Sequence, residues 1–554
     1  MHHGCMPSRA AALVLLALAA CGVAPAGGGE ADSQTVEPLL TVPERTGYRR
    51  TSTAAEVHDF LVRLDAFGDP RFFLTAFGES SDGRPLDLVV VADPPVRRAA
   101  EAHRGTRPVV LVMANIHGGE VEGKEAVQEL LRAVVTDEAD PWPVGDAVVL
   151  FVPVYNPAGN DALGPKNRPL QHGPSLAGRR VNARGLDLNR DWMKLEAPET
   201  RSLVGLLQEW DPHVVLDLHT TNGSAHGYEL TYAGVLHPGA HPELRDLLDH
   251  DWLPALRRRM LERHGLHVFD YGNFLSPEGE FEDDPDLLGG WRTFDHRPRF
   301  GNNYVGLRNR IAILSEAYAY LAFPERIAAT RAFVTEVLRL AAERGSDVPA
   351  ACRRWDAETE RWGGAGELVQ PLSAELVERG REPVRIRGFR TETDPATGET
   401  WRIASGPVTE VELPVQVGFR AVEEALAPPT YWLAPELAAV VAPVLAGHGV
   451  AFRWLDAPQT VEAVTFRVVE THREPLPFQG HFERSATFDL GLREVTLPAG
   501  TLELSLAQPL ARLAFQLVDP RAEDGLRHWN WYDRWLMAGP DAELPLYAAP
   551  LPEH

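Results

Sequence analysis

Between about Thr51 and Ala342, short runs of consecutive apolar residues alternate with longer helix-like stretches. The runs are Pro108–Ile116 (PVVLVMANI), Ala147–Val154 (AVVLFVPV), His213–Leu218 (HVVLDL) and Arg310–Leu314 (RIAIL). Unbroken Val, Ile and Leu over such lengths suits strands buried on both faces of a mostly parallel sheet. The stretches Gly123–Val135, Pro198–Trp210, Pro242–His264 and Pro324–Arg344 predict the helices between them. Together they argue an α/β fold, with a mostly parallel or mixed central sheet and helices on both faces. After Gly345 the pattern changes. Trp362–Gly366 (WGGAG) reads as part of a linker over 346–368, separating a body at 51–345 from a smaller mixed α/β and β-rich region at 369–554. Within that region Ala434–Leu445 predicts a helix and Val450–Leu455 a strand. From Val461 strand-like alternation dominates, as in Thr501–Leu506 behind the turn Pro498-Ala499-Gly500. No internal repeat is evident.

The predicted strands end in residues that bind metals or move protons. The first runs into His117-Gly118-Gly119-Glu120, the third into His219, and the last into Ser315-Glu316-Ala317. Ligands of open α/β sheets bind at the carboxyl ends of strands, so residues far apart in sequence converge there. Two histidines and a carboxylate make a catalytic zinc set with a fourth position left for water. Glu316 is then the candidate to take the water's proton. Asp217 falls on the same strand face as His219, where it either orients that ring or pairs with an arginine. Asn189 and Arg190, in Arg180–Trp192 (RVNARGLDLNRDW), suit a grip on a carboxylate if buried in a cleft, and an exposed basic turn if not. His226, His237, His241, His250, His264 and His267 lack a second ligand at useful spacing and read as surface or core histidines.

Charge and the first residues narrow the class. The 554-residue chain has 54 Lys+Arg against 78 Asp+Glu, a net charge of −24, which disfavours nucleic acid as a partner. Ala10–Ala20 is an eleven-residue apolar run, too short to span a bilayer and suited to a signal-peptide core. It ends at Leu18-Ala19-Ala20-Cys21, which resembles the lipobox of bacterial lipoproteins. Residues 1–20 would then be the signal, Cys21 the acylated residue holding the chain to the membrane of the cell envelope, and 21–50 a flexible tether. An ordinary secretory cut after Ala26 is the alternative. Only Cys352 would remain as an unmodified thiol, so no disulfide is expected.

In order along the chain, HGGE, Asn156–Asn160 (NPAGN), GLDLNRDW, LDLHT and LSEAY are similar to motifs of the zinc carboxypeptidase family, the carboxypeptidase A-like metallopeptidases, over about residues 50–340. The resemblance implies that family's fold for 51–345 and one zinc ion held by His117, Glu120 and His219. Glu316 would be the general base, and Asn189 and Arg190 would hold the free C-terminal carboxylate of a peptide substrate. It also implies an arginine that polarises the scissile carbonyl, for which Arg180 is the choice over Arg179 and Arg184, and a substrate-capping tyrosine, placed at Tyr304. Phe294 to Asn303 would line the side-chain pocket. The activity implied is hydrolysis of C-terminal peptide bonds. The same site acting on cell-wall peptides or on small-molecule amides, and a non-catalytic peptide-binding lipoprotein, are the alternatives. The 369–554 region names no activity of its own. Its aromatic cluster His528–Trp535 reads as an interdomain plug, with Trp531 and Trp535 on one helical face, or as a binding surface.

Overall fold

The computed structural model describes residues 39–136, 145–221 and 223–552. The four apolar runs become β3 (Val109–Ala114), β4 (Val148–Val152), β5 (Val214–Thr220) and β10 (Ile311–Ala317). They are preceded by β1 (Phe72–Glu79) and β2 (Pro85–Ala92). Between β5 and β10 come β6 (Leu230–Ala233), β7 (Val268–Asp270), β8 (Asn273–Leu275) and β9 (Gly290–Arg292). Eight of these form one sheet in the order β1-β2-β4-β3-β5-β10-β6-β7. Its middle block, β4-β3-β5-β10, is parallel throughout. On the flanks β1, β2 and β6 pair antiparallel, so the sheet is mixed.

Every residue of β3, β4 and β5 is buried, so both faces of the block are covered, as continuous apolar runs require. Helices Glu122–Val135 and Phe323–Arg344 pack on each other and against β3 and β5. Gly301–Leu307 packs on β5 and β10, and Pro198–Trp210 on β1. The helix Pro198–Trp210 starts with proline, whose missing N–H costs nothing there, and stops at Asp211 in the left-handed region (φ 39°). Pro242–His264 is helical throughout but contains a π-helical turn at Leu248–Trp252.

Two boundary expectations are corrected. The expected linker at 346–368 is largely the helix Asp347–Ala365, held by buried Val348, Cys352 and Trp355. The expected tether is already structured from Thr41. That residue and Glu44 form a capping box on Val42–Arg45, and Glu44 pairs with Arg132 at 2.7 Å. The signal and residues 21–38 of the expected tether, Cys21 included, lie outside the described residues.

The C-terminal strands are β11 (Val369–Val377), β12 (Gly380–Thr393), β13 (Thr400–Gln416), β14 (Gly418–Leu426), β15 (Thr430–Leu433), β16 (Arg453–Trp454), β17 (Gln459–Arg473), β18 (Arg484–Leu497), β19 (Leu502–Ser505) and β20 (Glu543–Ala548). β11 pairs with β14, and a six-stranded sheet runs β16-β19-β15-β20-β17-β18. The hairpin β12–β13 joins β9 and β8 in a four-stranded sheet, so strands from both sides of residue 346 share one sheet. From Leu40 onward the chain is one compact unit. Buried Arg299 fastens the two parts, 2.6 Å from Asp524 and 2.7 Å from Glu483. Near it the aromatic cluster is a plug, but Trp529 and Tyr532 are the buried members while Trp531 and Trp535 are partly exposed. The helical turn there is only Asp533–Leu536, too short to line up the latter pair as expected.

Candidate metal centre and active site

At the end of β3 the chain turns through Asn115 in the left-handed region (φ 65°), a conformation asparagine tolerates better than most residues. Its Nδ2 donates to the carbonyls of Gly118 (3.3 Å) and Glu120 (3.1 Å), which pins the HGGE loop. The two glycines are required by close approach. A Cβ on Gly118 would lie 2.1 Å from the Gly159 carbonyl carbon, and one on Gly119 would lie 2.5 Å from the Gly178 oxygen. Asn156, first residue of NPAGN, ties this loop to the neighbouring segment by donating to Ile116 O (3.1 Å) and Arg180 O (3.2 Å).

The parallel register then does the rest. Glu316 on β10 is paired with His219 on β5, and Asp217 with Met113 of β3, so the three strand ends meet at one level. His117, Glu120 and His219 are buried and offer ligand atoms within 4.8 Å of one another. Glu120 sits between the rings, Oε1 2.9 Å from His117 Nδ1 and Oε2 2.9 Å from His219 Nδ1. Each ring's other nitrogen faces a second carboxylate: His117 Nε2 lies 3.2 Å from Asp187, and His219 Nε2 lies 2.8 Å from Asp217. Two imidazoles turned by outer carboxylates toward a third carboxylate are a donor set that fits zinc, with ring orientation already imposed. Among the described residues no other cluster of this kind occurs.

Asp187 and Arg168 were not singled out in the sequence. Asp187 lies inside GLDLNRDW, where no spacing of its own marks it as a partner of His117. Besides His117 it accepts from Arg180 Nε (2.8 Å) and from Asn189 N (2.9 Å). Burial would raise its pKa, but His117 and Arg180 outweigh that and hold it well below the usual carboxylate range. Arg168 donates to Glu120 Oε1 (3.1 Å) and to the carbonyls of Thr220 and Thr221 (2.9 Å each). No spacing signal marks it; only the path of the 160–180 loop brings it there. Replacing Asp217 or Asp187 by Asn is expected to weaken zinc affinity about 10- to 100-fold. Competition with a fluorescent chelator measures this, and unchanged affinity in both variants would show that neither carboxylate orients its ring.

Glu316 faces the same space, with Oε2 buried and unpartnered. Burial pushes its pKa up to about 8, against the opposing pull of His219 and with Glu120 adding repulsion. Stripped of metal by a chelator, the folded protein therefore keeps this proton up to about 8, whereas the unfolded chain releases it near 4.5. Stability contributed this way is complete below 4.5 and is lost as pH rises through 8. Melting midpoints of chelated wild type should fall across that window relative to chelated Glu316→Gln. Parallel curves would refute this account of the carboxyl.

Of the three candidate arginines, Arg180 lines the cleft, its Nη1 3.9 Å from Glu120, while Arg179 and Arg184 are exposed on other surfaces. Asn189 and Arg190 line the same small cavity of about 100 Å³, together with Phe294 and Phe300. Asn189 Oδ1 accepts from Gly301 N (2.9 Å), so the amide nitrogen is the group it can offer a ligand. Arg190 lies 3.8 Å above the Phe300 ring, and burial lowers its pKa to about 10, which still leaves it cationic at neutral pH. Among the described residues no carboxylate forms an ion pair with it.

Tyr304 is a correction. It is fully buried, its hydroxyl 2.8 Å from His448 Nδ1 and its ring 5.2 Å from Trp192, and it is a core residue away from the cleft. The tyrosine at the site is Tyr271, between β7 and β8, which lines the small cavity beside Glu316. Its ionisation is suppressed by burial and by the Glu316 charge, so it stays a neutral hydrogen-bonding group. Of the Phe294–Asn303 stretch, Phe294 and Phe300 line the cavity, whereas Asn303 is spent on backbone contacts to Asp295, Arg297 and Leu236.

Residues 59–265 match the family model described as zinc carboxypeptidase, a span that includes His117, Glu120, Asp187, Asn189, Arg190 and His219 and ends before Tyr271 and Glu316. No curated protein matches the chain. Among solved structures it is similar to a metallo-carboxypeptidase from Burkholderia cenocepacia (15% identity, TM-score 0.40, covering 53% of this chain and 70% of that one). It is also similar to a metallo-carboxypeptidase from Pseudomonas aeruginosa in complex with (2-guanidinoethylmercapto)succinic acid (19%, 0.39, 53% and 70%). A third is carboxypeptidase A from Helicoverpa armigera (13%, 0.36, 55% and 74%). The family match spans the whole histidine–carboxylate cluster, so the part of the chain over residues 59–265 that carries this cluster is similar to a zinc carboxypeptidase domain.

Proposed function

We propose that the enzyme removes single residues from the C-terminus of peptides that end in a free carboxylate. The observation that carries this reading is Arg190: a half-buried guanidinium without an ion-pair partner among the described residues, opening with Asn189 into the cavity that Glu316 also lines. A planar cation presented in this way matches a carboxylate through two parallel hydrogen bonds. His117, Glu120 and His219 would hold one zinc ion, which when bound supplies a Lewis acid that acidifies water and polarises a carbonyl.

The chain's own groups do the remaining work. Asn189 and Arg190 fix the terminal carboxylate and so set which peptide bond lies at the cluster. Glu316 takes the proton of the attacking water and delivers it to the departing amine. Arg180, held by Asp187, donates to the carbonyl oxygen as negative charge develops on it. Tyr271 closes the cavity on the side of the terminal residue. Protein starting at Gly22, given a mixture of peptides with free and amidated ends, is expected to shorten only the free ones, by one residue at a time. Chelation should abolish the trimming. Mass spectrometry reads both, and trimming of amidated ends would overturn the reading; no trimming of any peptide would shift the substrate to cell-wall peptides or small-molecule amides.

We also propose that the chain is a lipoprotein of a bacterial cell envelope, anchored through Cys21, on the strength of the Leu18–Cys21 motif. Incorporation of labelled fatty acid that persists in Cys21→Ser would refute the anchor. No helix among the described residues is long and apolar enough to cross a membrane.

A further inference from the structure

The hairpin β17–β18 ends in a tip that reaches the active-site cleft. Phe478 and His481 exchange backbone hydrogen bonds (2.7 and 3.0 Å) around the two-residue turn Gln479-Gly480, both with positive φ (50° and 83°). Gly480 adopts that conformation freely, whereas Gln479 does so against its preference. A compensating contact is present: Gln479 Oε1 accepts from the backbone N–H of Asp187 at 2.8 Å. Asp187 is the carboxylate beside His117, so the tip is fastened to the frame of the metal centre itself. His481 secures the other side of the turn, 3.0 Å from Glu196. The half-buried Phe478 ring stacks on buried Trp529 at 6.3 Å and 28°.

Two spaces open from the cluster, and both are lined by His117, Arg180 and Arg190. The small one, about 100 Å³, is the one Asn189 lines. A substrate held by its terminal carboxylate therefore places its last residue there, and the rest of the peptide leaves through the other. That second space is about 700 Å³, the size of a ligand cleft, with Phe478 and Gln479 on one wall and Pro169 and Leu170 among its other lining. The apolar groups presented to the departing chain thus include a phenyl ring supplied by the C-terminal region, beside Pro169, Leu170, Val181 and Ala319.

We infer that the tip is the part of the C-terminal region that reads the substrate: Phe478 contacts the side chain of the residue on the amino side of the scissile bond and favours a large apolar one. The inference rests on the carboxypeptidase reading above. It gives the 369–554 region a role in specificity, and it explains why a non-glycine residue is held in the turn.

The test uses acetylated peptides that share one C-terminal residue and carry Phe, Leu, Ala or Asp just before it. In the wild-type zinc enzyme kcat/KM for Phe and Leu is expected to exceed that for Ala by tenfold or more. Phe478→Ala should reduce that ratio to less than threefold, and Phe478→Leu should retain most of it. A uniform loss across the series, with the ratio intact, would mean the ring is merely structural and would overturn the inference. Calorimetric binding of the same peptides to Glu316→Gln, with and without Phe478→Ala, reads the contact independently of turnover. A Phe-over-Ala preference in Kd that disappears with the ring supports the inference, and equal Kd values in the parent overturn it. Peptides bound with that preference but never hydrolysed by the wild type would fault the carboxypeptidase reading alone.

Discussion

Glu316→Gln is expected to lower kcat/KM by about 10²- to 10⁴-fold, the range that a positioned general base contributes, while the protein still binds one equivalent of zinc. The two halves of this result follow from geometry. Glu316 lies beside His219 in the sheet register but is outside the His117–Glu120–His219 set, so removing its charge takes away the proton acceptor and leaves the ligands in place. Its buried, unpartnered Oε2 marks a group placed for a partner that arrives with the substrate, because an ordinary buried carboxylate oxygen is paired. Gln preserves shape and burial, so a folding defect is not expected. Activity is measured with a free-acid peptide at saturating zinc, and metal content by plasma emission. Full activity in a zinc-loaded Glu316→Gln would assign the proton transfer to another group.

Arg190→Ala is expected to raise KM for free-acid peptides by about 30-fold to a few thousand-fold, the equivalent of the roughly 2–5 kcal/mol lost when one partner of a buried, hydrogen-bonded charge pair is truncated. The loss should fall on binding more than on kcat for the chemical step, because the carboxylate is gripped in the ground state as well as the transition state. Discrimination against amidated peptides should fall with it. In the wild type an amide leaves the half-buried guanidinium facing a neutral group, an unpaired charge that such a site rejects; with the guanidinium gone, that penalty goes too. Arg190→Lys should recover only part of the affinity, since a point charge replaces the planar fork lying 3.8 Å above the Phe300 ring. If Arg190→Ala bound free-acid and amidated peptides in the wild-type ratio, the carboxylate grip would have to lie elsewhere, with Arg180 the nearest alternative.

The convergence of His117, Glu120, His219 and Glu316 was legible in the sequence and the ring of residues around them was not, for reasons visible in single positions. His117, Glu120, His219 and Glu316 all stand within four residues of the end of an apolar run, and a strand's end is a local property of the hydrophobic pattern. Arg180 could be preferred to Arg179 and Arg184 only loosely, because the three stand within five positions of one another and only the fold decides which faces the cleft. It is Asp187 that settles it, by accepting from Arg180 Nε. Tyr304 failed as the capping residue because a tyrosine's place along the chain does not say which way its ring faces: Tyr304 packs into the core, whereas Tyr271 reaches the cavity through the turn between β7 and β8. Likewise Asp187 and Arg168 act through single contacts with residues 70 and 48 positions away. Nothing in a local window predicts contacts of that span.

What the sequence determined by itself is the central parallel block, the helices on it and the residues that cluster at its carboxyl edge. Those follow from unbroken apolar runs and from residue chemistry, both readable without knowing where the rest of the chain goes. The antiparallel flank strands β1, β2 and β6 were not anticipated, since their pairing depends on edges that exist only once the block has formed. Tertiary structure alone decided which arginine and which tyrosine enter the cleft. It also decided that the stretch expected as a linker is a packed helix, and that Phe478 and Gln479 line the cleft beside His117 and Asp187. Gln479 meets Asp187 across 292 residues. Such a contact is specified by the packing of two regions against each other, with Arg299 and Trp529 buried between them, and packing of that kind leaves no period in the sequence to read.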